Sequence, residues 1–218
     1  MRKIILIVCV GFLVGCQTVP SPSPQADGLW LSDDDYFQEH VKKVADLDSW
    51  RYSAKVGVTT SEARKQGNIV WNFADDASNV RLFGPLGVGA IRIEFDRFGV
   101  VLSDNKGVLH RGKNAEELLT RIVGWPIPID ALSYWLFAVP DPANSYRYQL
   151  NESGDVSILE QQGWSIEYSS YKDYSYKGNA GNSSSSENSR FLPRKLVAKK
   201  EVAGQGQVVV KLITKSWK

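Results

Sequence analysis

From Trp50 onward the chain keeps alternating large apolar residues with polar ones. A period of two is the signature of strands with one buried face, so the chain is constrained to a largely antiparallel sheet. Trp50, Tyr52, Ala54, Val56 and Val58 alternate with Arg51, Ser53, Lys55, Gly57 and Thr59. Ile69, Trp71 and Phe73 line one face of a second strand, Val80 and Leu82 mark a third, and Ile91, Ile93 and Phe95 alternate with Arg92 and Glu94 in a fourth. Residues 100–103 and 108–110 flank Asp104-Asn105-Lys106-Gly107, which reads as a hairpin turn. Further strands are expected over 146–150, 156–160, 164–168, 194–200 and 207–217.

Three helical segments interrupt this pattern. Ser32 can cap a first helix whose opening turn holds Asp33, Asp34 and Asp35, and Phe37, Val41, Val44 and Leu47 then recur at helical spacing. An acidic first turn suits the positive helix end. No further ligands follow at a spacing that would make the three aspartates a metal site. Asn114 is placed to cap a helix over 115–123 that stops at Gly124. Pro126 and Pro128 make an extended connector, Asp130 is expected to cap a helix over 131–139, and Pro140 ends it. Leu132, Trp135, Leu136 and Val139 form its apolar stripe. Many short antiparallel strands with a few helices fit a sheet curled into an open barrel and capped by helices.

The N-terminal residues set the compartment. Arg2 and Lys3 precede an apolar run over 4–14 that is too short to cross about 30 Å of hydrocarbon as a helix, so residues 1–15 read as a signal peptide. The run ends in Leu13-Val14-Gly15-Cys16, a bacterial lipobox, which makes Cys16 the lipidated residue of the mature chain. Residues 16–29, rich in Pro, Ser and Gln, have almost nothing to bury and read as a tether, leaving 30–218 as one folded domain. The other cysteine, Cys9, lies in the segment that is removed, so no disulfide or cysteine metal site is expected. The Gly, Asn and Ser content of 178–189 cannot build a core and reads as a flexible loop insert.

Little in the chain points to chemistry. A net charge of +2 without a basic cluster implies no nucleic-acid partner. His40 and His110 lie on unrelated elements with no patterned acid or cysteine nearby, and no nucleophile elbow, phosphate loop or dinucleotide fingerprint occurs. The chain is therefore read as a non-enzymatic protein that needs no cofactor and no metal. The stretch Gly84-Pro85-Leu86-Gly87-Val88-Gly89 joins two strands and carries one large apolar residue, Leu86, on a Gly-Pro and Gly frame. Loop tips usually carry polar groups, so that leucine either folds back on the core or serves a contact.

Gly84-Pro85-Leu86-Gly87, Asp104-Asn105-Lys106-Gly107, and Gly124-Trp125-Pro126-Ile127-Pro128 followed by Trp135 stand in this order behind a lipobox. That ordered set resembles the LolB family of outer-membrane lipoprotein receptors over nearly the whole chain. The resemblance implies an incomplete antiparallel β-barrel (a half-barrel) with a helical lid over a hydrophobic cavity, similar in fold to the periplasmic carrier LolA. It implies a monomer facing the periplasm from the outer membrane. There it accepts an acylated lipoprotein from the LolA–lipoprotein complex, shields the acyl chains and inserts them among outer-membrane phospholipids. It assigns Leu86, with Pro85 and Gly87, to the membrane-insertion loop, and Trp71, Trp135 and Trp164 to the cavity and lid. Gln17 after the lipidated cysteine, rather than Asp, implies transport to the outer membrane. Gly84 where the family usually has Asn, and the 178–189 insert, depart from the pattern. An anchored β domain acting as a scaffold or binding module is the alternative, and it predicts a filled interior.

Overall fold

The computed structural model describes residues 30–31, 35–87, 89–124, 127–175, 189–204 and 206–218. The signal peptide, Cys16, the tether and nearly all of the 178–189 insert lie outside them, as do Ser32, Asp33 and Asp34. The first helix, α1, spans Asp35–Ala45. Six strands follow in a meander: β1 (Ser49–Thr59), β2 (Arg64–Ala74), β3 (Ala77–Phe83), β4 (Ile91–Asp96), β5 (Gly99–Ser103) and β6 (Leu109–Gly112). Helices α2 (Ala115–Val123) and α3 (Ile129–Trp135) cross to a second meander: β7 (Tyr146–Leu150), β8 (Val156–Gln161), β9 (Trp164–Ser175), β10 (Ser189–Val202) and β11 (Gly206–Trp217).

Pairing of β1 with β11 joins the two meanders into one antiparallel sheet of 11 strands, ordered β6-β5-β4-β3-β2-β1-β11-β10-β9-β8-β7. The first and last strands in this order do not pair, so the sheet stays open. The inward positions agree with the alternation in the sequence. Tyr52 stands opposite Trp71 and Trp217, and Ala54 opposite Ile69 and Thr214. One face is thus apolar from Val100 and Leu102 through Val80, Trp71, Tyr52, Leu212 and Leu196 to Ile166 and Leu159, all buried. Strand twist of roughly 20–25° per neighbour curls a sheet of this width around that face.

Both edges are blunted. Strand β6 is short. On β7, Leu31 exchanges two backbone hydrogen bonds with Tyr148 (2.8 and 2.9 Å), and Arg147 lies over the Trp30 ring at 4.3 Å. The chain therefore enters the domain as a partial twelfth strand on the edge that would otherwise be free.

Asn114 caps α2 as the sequence suggests, with the Glu117 N–H donating to its Oδ1 at 2.8 Å, and Gly124 (φ 79°) ends it in the left-handed region. The hairpin turn is also where expected. Asp104 Oδ1 accepts from the N–H groups of Lys106 and Val108, both at 2.9 Å, and Gly107 takes φ 80°. The His110 ring lies 3.1 Å from Asp104 Oδ2 and, with those two amides, holds the carboxyl below its ordinary range. A carboxyl whose folded value is lowered stabilises the turn above its unfolded value, and that support fades as pH falls through the folded value. Protection of the Lys106 and Val108 amides, taken relative to the unstructured rate at the same pH, should accordingly fall as pH drops below about 4, and at neutral pH in Asp104→Ala. Unchanged protection in that variant would contradict the assignment.

Two expectations need correction. The third helix does not run over 131–139 under an Asp130 cap. It starts at Ile129 behind Pro128 (φ −74°), with no side-chain cap, and Asp130 sits in its first turn. Proline fixes the entry angle and removes an amide that would have lacked a partner. The helix stops early because Ala138 turns left-handed (φ 59°), its N–H bonding to Trp135 O while the Val139 N–H reaches Tyr134 O. That closure usually uses glycine, and for alanine the conformation costs about 1 kcal/mol. Strands β2, β9 and β10 also extend beyond their apolar cores. On β2 the extension, Arg64–Asn68, is polar; on β9 and β10 it pairs irregular stretches in which buried Tyr174 and Leu192 stand among polar residues without a clear alternation.

Candidate functional site

The inner sheet face and the segment that covers it make the site. Strand β1 brings Trp50 to the end of the sheet where β11 finishes. Its ring lies 5.6 Å from Trp71, 5.6 Å from Phe73, 5.7 Å from Trp217 and 5.5 Å from Phe137. Phe137 follows α3 by two residues and meets Trp217 at 4.4 Å, so the covering segment drives a ring into the sheet's aromatic end. Its carbonyl lies 2.8 Å from His40 Nε2, which ties the cover to α1.

The three tryptophans singled out from the sequence lie on the sheet and on the segment that covers it. Trp71 on β2 and Trp164 on β9 lie on the inner face, and Trp135 on α3 covers it. All three are buried. Trp71 Nε1 donates to Ser78 Oγ (3.1 Å), and Trp135 packs 6.1 Å from Trp164. They do not form one cluster: Trp71 belongs to the Trp50 group, whereas Trp135 and Trp164 pair at the other meander. Neither Trp71 nor Trp135 lines a described cleft. Rings fill the space between cover and sheet, and open volume lies toward the two ends.

At the aromatic end a cleft of about 880 Å³ opens between α1, α3 and the sheet, floored by Trp50, Phe73, Phe95 and Phe137. Its rim carries Asp48, Asp75, Asp76, Asp96 and Asp130. Burial, then the nearby charge of Asp141, pushes the Asp130 carboxyl above its ordinary value. At the opposite end a smaller recess of about 230 Å³ lies under the 84–89 loop. In that loop Pro85–Gly87 forms a short 3-10 turn, with Gly87 (φ 80°) and Gly89 (φ 70°) both in the left-handed region that glycine tolerates. Pro85 is exposed. The side chain of Leu86 and all of Val88 lie outside the described residues.

Sequence reasoning missed Gln161, the residue that fastens the cover. It is 3% exposed and all its amide atoms are engaged. Its Oε1 accepts from Trp135 Nε1 and from the Asp141 N–H, both at 2.9 Å, and its Nε2 donates to the carbonyls of Asp141 (2.8 Å) and Asn144 (3.0 Å). The available signal was register: Leu159 faces inward, so Gln161 must too, and a polar residue at an inward position needs partners. Two further buried donors, Tyr168 Oη and Trp217 Nε1, find no acceptor among the described residues. Each such group costs about 1–3 kcal/mol.

A family model described as "Outer membrane lipoprotein LolB" matches residues 48–217, most of the chain. The chain belongs to the LolB family. An outer-membrane lipoprotein LolB of Chromohalobacter salexigens is 32% identical over 164 residues, covering 74% of this chain and 73% of its own. One from Pseudomonas syringae pv. syringae is 30% identical over 172 residues, covering 78% and 82%. Among solved structures, a Vibrio parahaemolyticus domain described as outer membrane lipoprotein-sorting superposes with a TM-score of 0.53 at 8% identity, covering 84% of this chain and 90% of its own. That likeness speaks to the fold alone, an open antiparallel sheet covered by helices.

As a LolB-family member the chain is an outer-membrane lipoprotein. Among the described residues no helix is long and apolar enough to cross a membrane. The family match starts after α1, so α1 and its His40 contact to the cover lie outside the matched region.

Proposed function

We propose that this LolB-family chain is a receptor that takes acylated lipoproteins from LolA, shelters their acyl chains between sheet and cover, and passes them to the inner leaflet of the outer membrane. The observation that carries this reading is an open sheet whose inner face is largely apolar and is covered by a short helical segment. Burying an acyl chain is worth about 0.8 kcal/mol per methylene, so a lipoprotein with several chains does not cross water unaided. A carrier must offer apolar surface of similar worth and must also let go. With no nucleotide motif in the sequence, the relay runs down a gradient of affinity, from donor to receptor to bilayer.

In this reading Cys16 carries the lipid anchor and Leu86, on its Pro85 and Gly87 frame, enters the bilayer surface. Trp71 and Trp164 are wall, and Trp135 is lid. Phe137 holds the place an acyl chain takes when the cover lifts. Lifting it also frees Trp217 Nε1, a donor that the ester and amide carbonyls of a lipidated cysteine can satisfy. No side chain is asked to react.

The ring-filled interior favours a second reading, an anchored β domain that scaffolds other envelope components. Mixing LolA loaded with a labelled lipoprotein with this protein separates the two. Transfer of label to this chain, and from it to vesicles, is the expected result. Label that stays on LolA would leave the scaffold reading in its place. A soluble form lacking Cys16 should still capture cargo, because the sequence places Cys16 in the tether ahead of the domain over 30–218. Loss of capture in a well-folded soluble form would count against a cavity-based mechanism.

A further inference from the structure

The 84–89 loop does not stand alone at its end of the sheet. In the strand order β3-β4-β5-β6, the loop and the β5–β6 turn are two strand spacings apart, roughly 10 Å. They leave the sheet at nearly the same height. Leu82 pairs with Ile91 at the base of the loop, and Ser103, the partner of Leu109, stands opposite Arg92, one residue further in. Val108 is 50% exposed and Leu109 is 53% exposed. Leu109 lies on the outer face, because its neighbour His110 pairs with the inward Leu102. Asp104 is turned back on its own amides and His110, which leaves Lys106 as the exposed charge of the turn. On the other side of the loop, β2 begins with Arg64 and Lys65, both exposed, four residues before it reaches Asn68 opposite Phe83. Gly67 draws the loop base against this hairpin, since a methyl group there would lie 2.7 Å from the Phe83 carbonyl oxygen. Lys65 and Gly89 accordingly border the same recess. The β1–β2 turn also holds one carboxylate, Glu62. The opposite end of the sheet has the reverse character: Asp48, Asp75, Asp76, Asp96 and Asp130 rim its cleft, and Arg97 there lies over the Phe98 ring at 4.8 Å.

We propose that the 104–109 hairpin is a second bilayer contact. Val108 and Leu109 enter the interface of an anionic phospholipid surface, while Lys106, with Arg64 and Lys65 across the 84–89 loop, meets its phosphates. The proposal rests on the bilayer reading of Leu86 and adds to it a named element and a lipid class. Three observations select a lipid surface. An apolar pair beside a lysine fits the boundary between hydrocarbon and headgroups, where the lysine stem covers apolar surface and its ammonium stays with phosphate. The cations sit on separate turns flanking one loop, a spread that suits a plane of phosphates rather than a single anion. The five aspartates at the far end are repelled by the same surface, so the field of the molecule turns its loop end toward the bilayer. A single leucine fixes one point on a membrane. A second contact roughly 10 Å away fixes the tilt of the sheet as well, and with it the direction in which the inner face opens.

The test uses the full-length lipidated protein in vesicles. Once residues 1–15 are removed and Cys16 is acylated, the sequence has no free thiol. Val108→Cys therefore carries a single environment-sensitive fluorophore. Phe98→Cys carries the control, because Phe98 is 79% exposed in the β4–β5 turn at the opposite end of the sheet. Quenching by phospholipid with a nitroxide on its acyl chain is read in vesicles of phosphatidylethanolamine and phosphatidylglycerol, and in vesicles of phosphatidylcholine alone. Strong quenching at position 108 and little at 98 are expected, with the signal at 108 lost in phosphatidylcholine. In Lys106→Gln the ratio of buried to exposed probe should fall about fivefold, the worth of one cation at an anionic surface. Leu109→Cys supplies a second probe position and should behave as Val108→Cys does. Equal quenching at 108 and 98, no quenching at either 108 or 109, or quenching indifferent to lipid charge would overturn the second contact. Quenching at 108 without transfer of a lipoprotein from LolA would instead remove the receptor reading and leave the contact standing.

Discussion

Leu86→Glu is expected to leave folding and lipoprotein capture at their normal levels and to block release into membranes. Burying a leucine side chain in an apolar medium is worth about 1.5–3 kcal/mol, so its loss alone predicts a roughly ten- to hundredfold slower insertion. A carboxylate at the same place adds the penalty of bringing a charge to the bilayer. The turn that carries the side chain is set by Pro85, Gly87 and Gly89, none of which is changed, so the backbone should be preserved. The check is to load the variant with a labelled lipoprotein from LolA, add vesicles of outer-membrane phospholipid, and follow label into the lipid. Insertion at the normal rate would remove Leu86 from the release step. Failure at the loading stage would mean that the loop is needed for capture.

Gln161→Ala should produce the largest loss of stability. The substitution takes away four hydrogen bonds and leaves the Trp135 indole N–H, the Asp141 N–H and two carbonyls to find new partners. Unpartnered buried groups cost about 1–3 kcal/mol each, and partial access of water brings the expected total to about 3–5 kcal/mol. The loss should be local in origin, because Gln161 joins the residues that follow α3 to β8. Amide exchange should therefore rise over 135–145 before it rises in β1 or β11. Gln161→Glu tests the detail: a carboxylate can still accept from Trp135 and Asp141 but cannot donate to either carbonyl. Its stability should fall between the other two. A melting temperature for Gln161→Ala within a degree of the unsubstituted protein would show that the bonds around Gln161 are dispensable.

In the proposed mechanism the cover is where function and stability pull against each other. Phe137 seals the aromatic end by packing against Trp50 and Trp217, yet Ala138 beside it adopts a conformation that alanine resists. The covering segment is held by its own buried apolar side chains, among them Leu132, Trp135, Leu136 and Val139, and in addition by the Phe137 ring, the Gln161 amide and the His40 contact.

Most of the sheet was legible in the sequence because burial on one face imposes a period of two. Every strand centre marked by that period, from Trp50–Val58 to Gln207–Trp217, lies in a strand here. Asn114 and Gly124 marked α2, and Asp104 with Gly107 marked the hairpin, because caps and turns depend on residues a few positions apart. The polar start of β2 and the paired ends of β9 and β10 were not legible, because backbone pairing continues there without a regular alternation of apolar and polar residues. The third helix was placed late because Asp130 is a good cap in isolation. The fixed φ of Pro128, two residues earlier, decided otherwise.

Local spacing in the sequence thus fixed which face of each strand turns inward, where the turns fall, and which tryptophans could reach the interior. Only the folded chain could pair β1 with β11, aim Phe137 into the rings, give Gln161 its four partners and bring Gly67 against Phe83. Those contacts join residues far apart in the chain, and their strength depends on geometry and exclusion of water, neither of which one-dimensional spacing encodes.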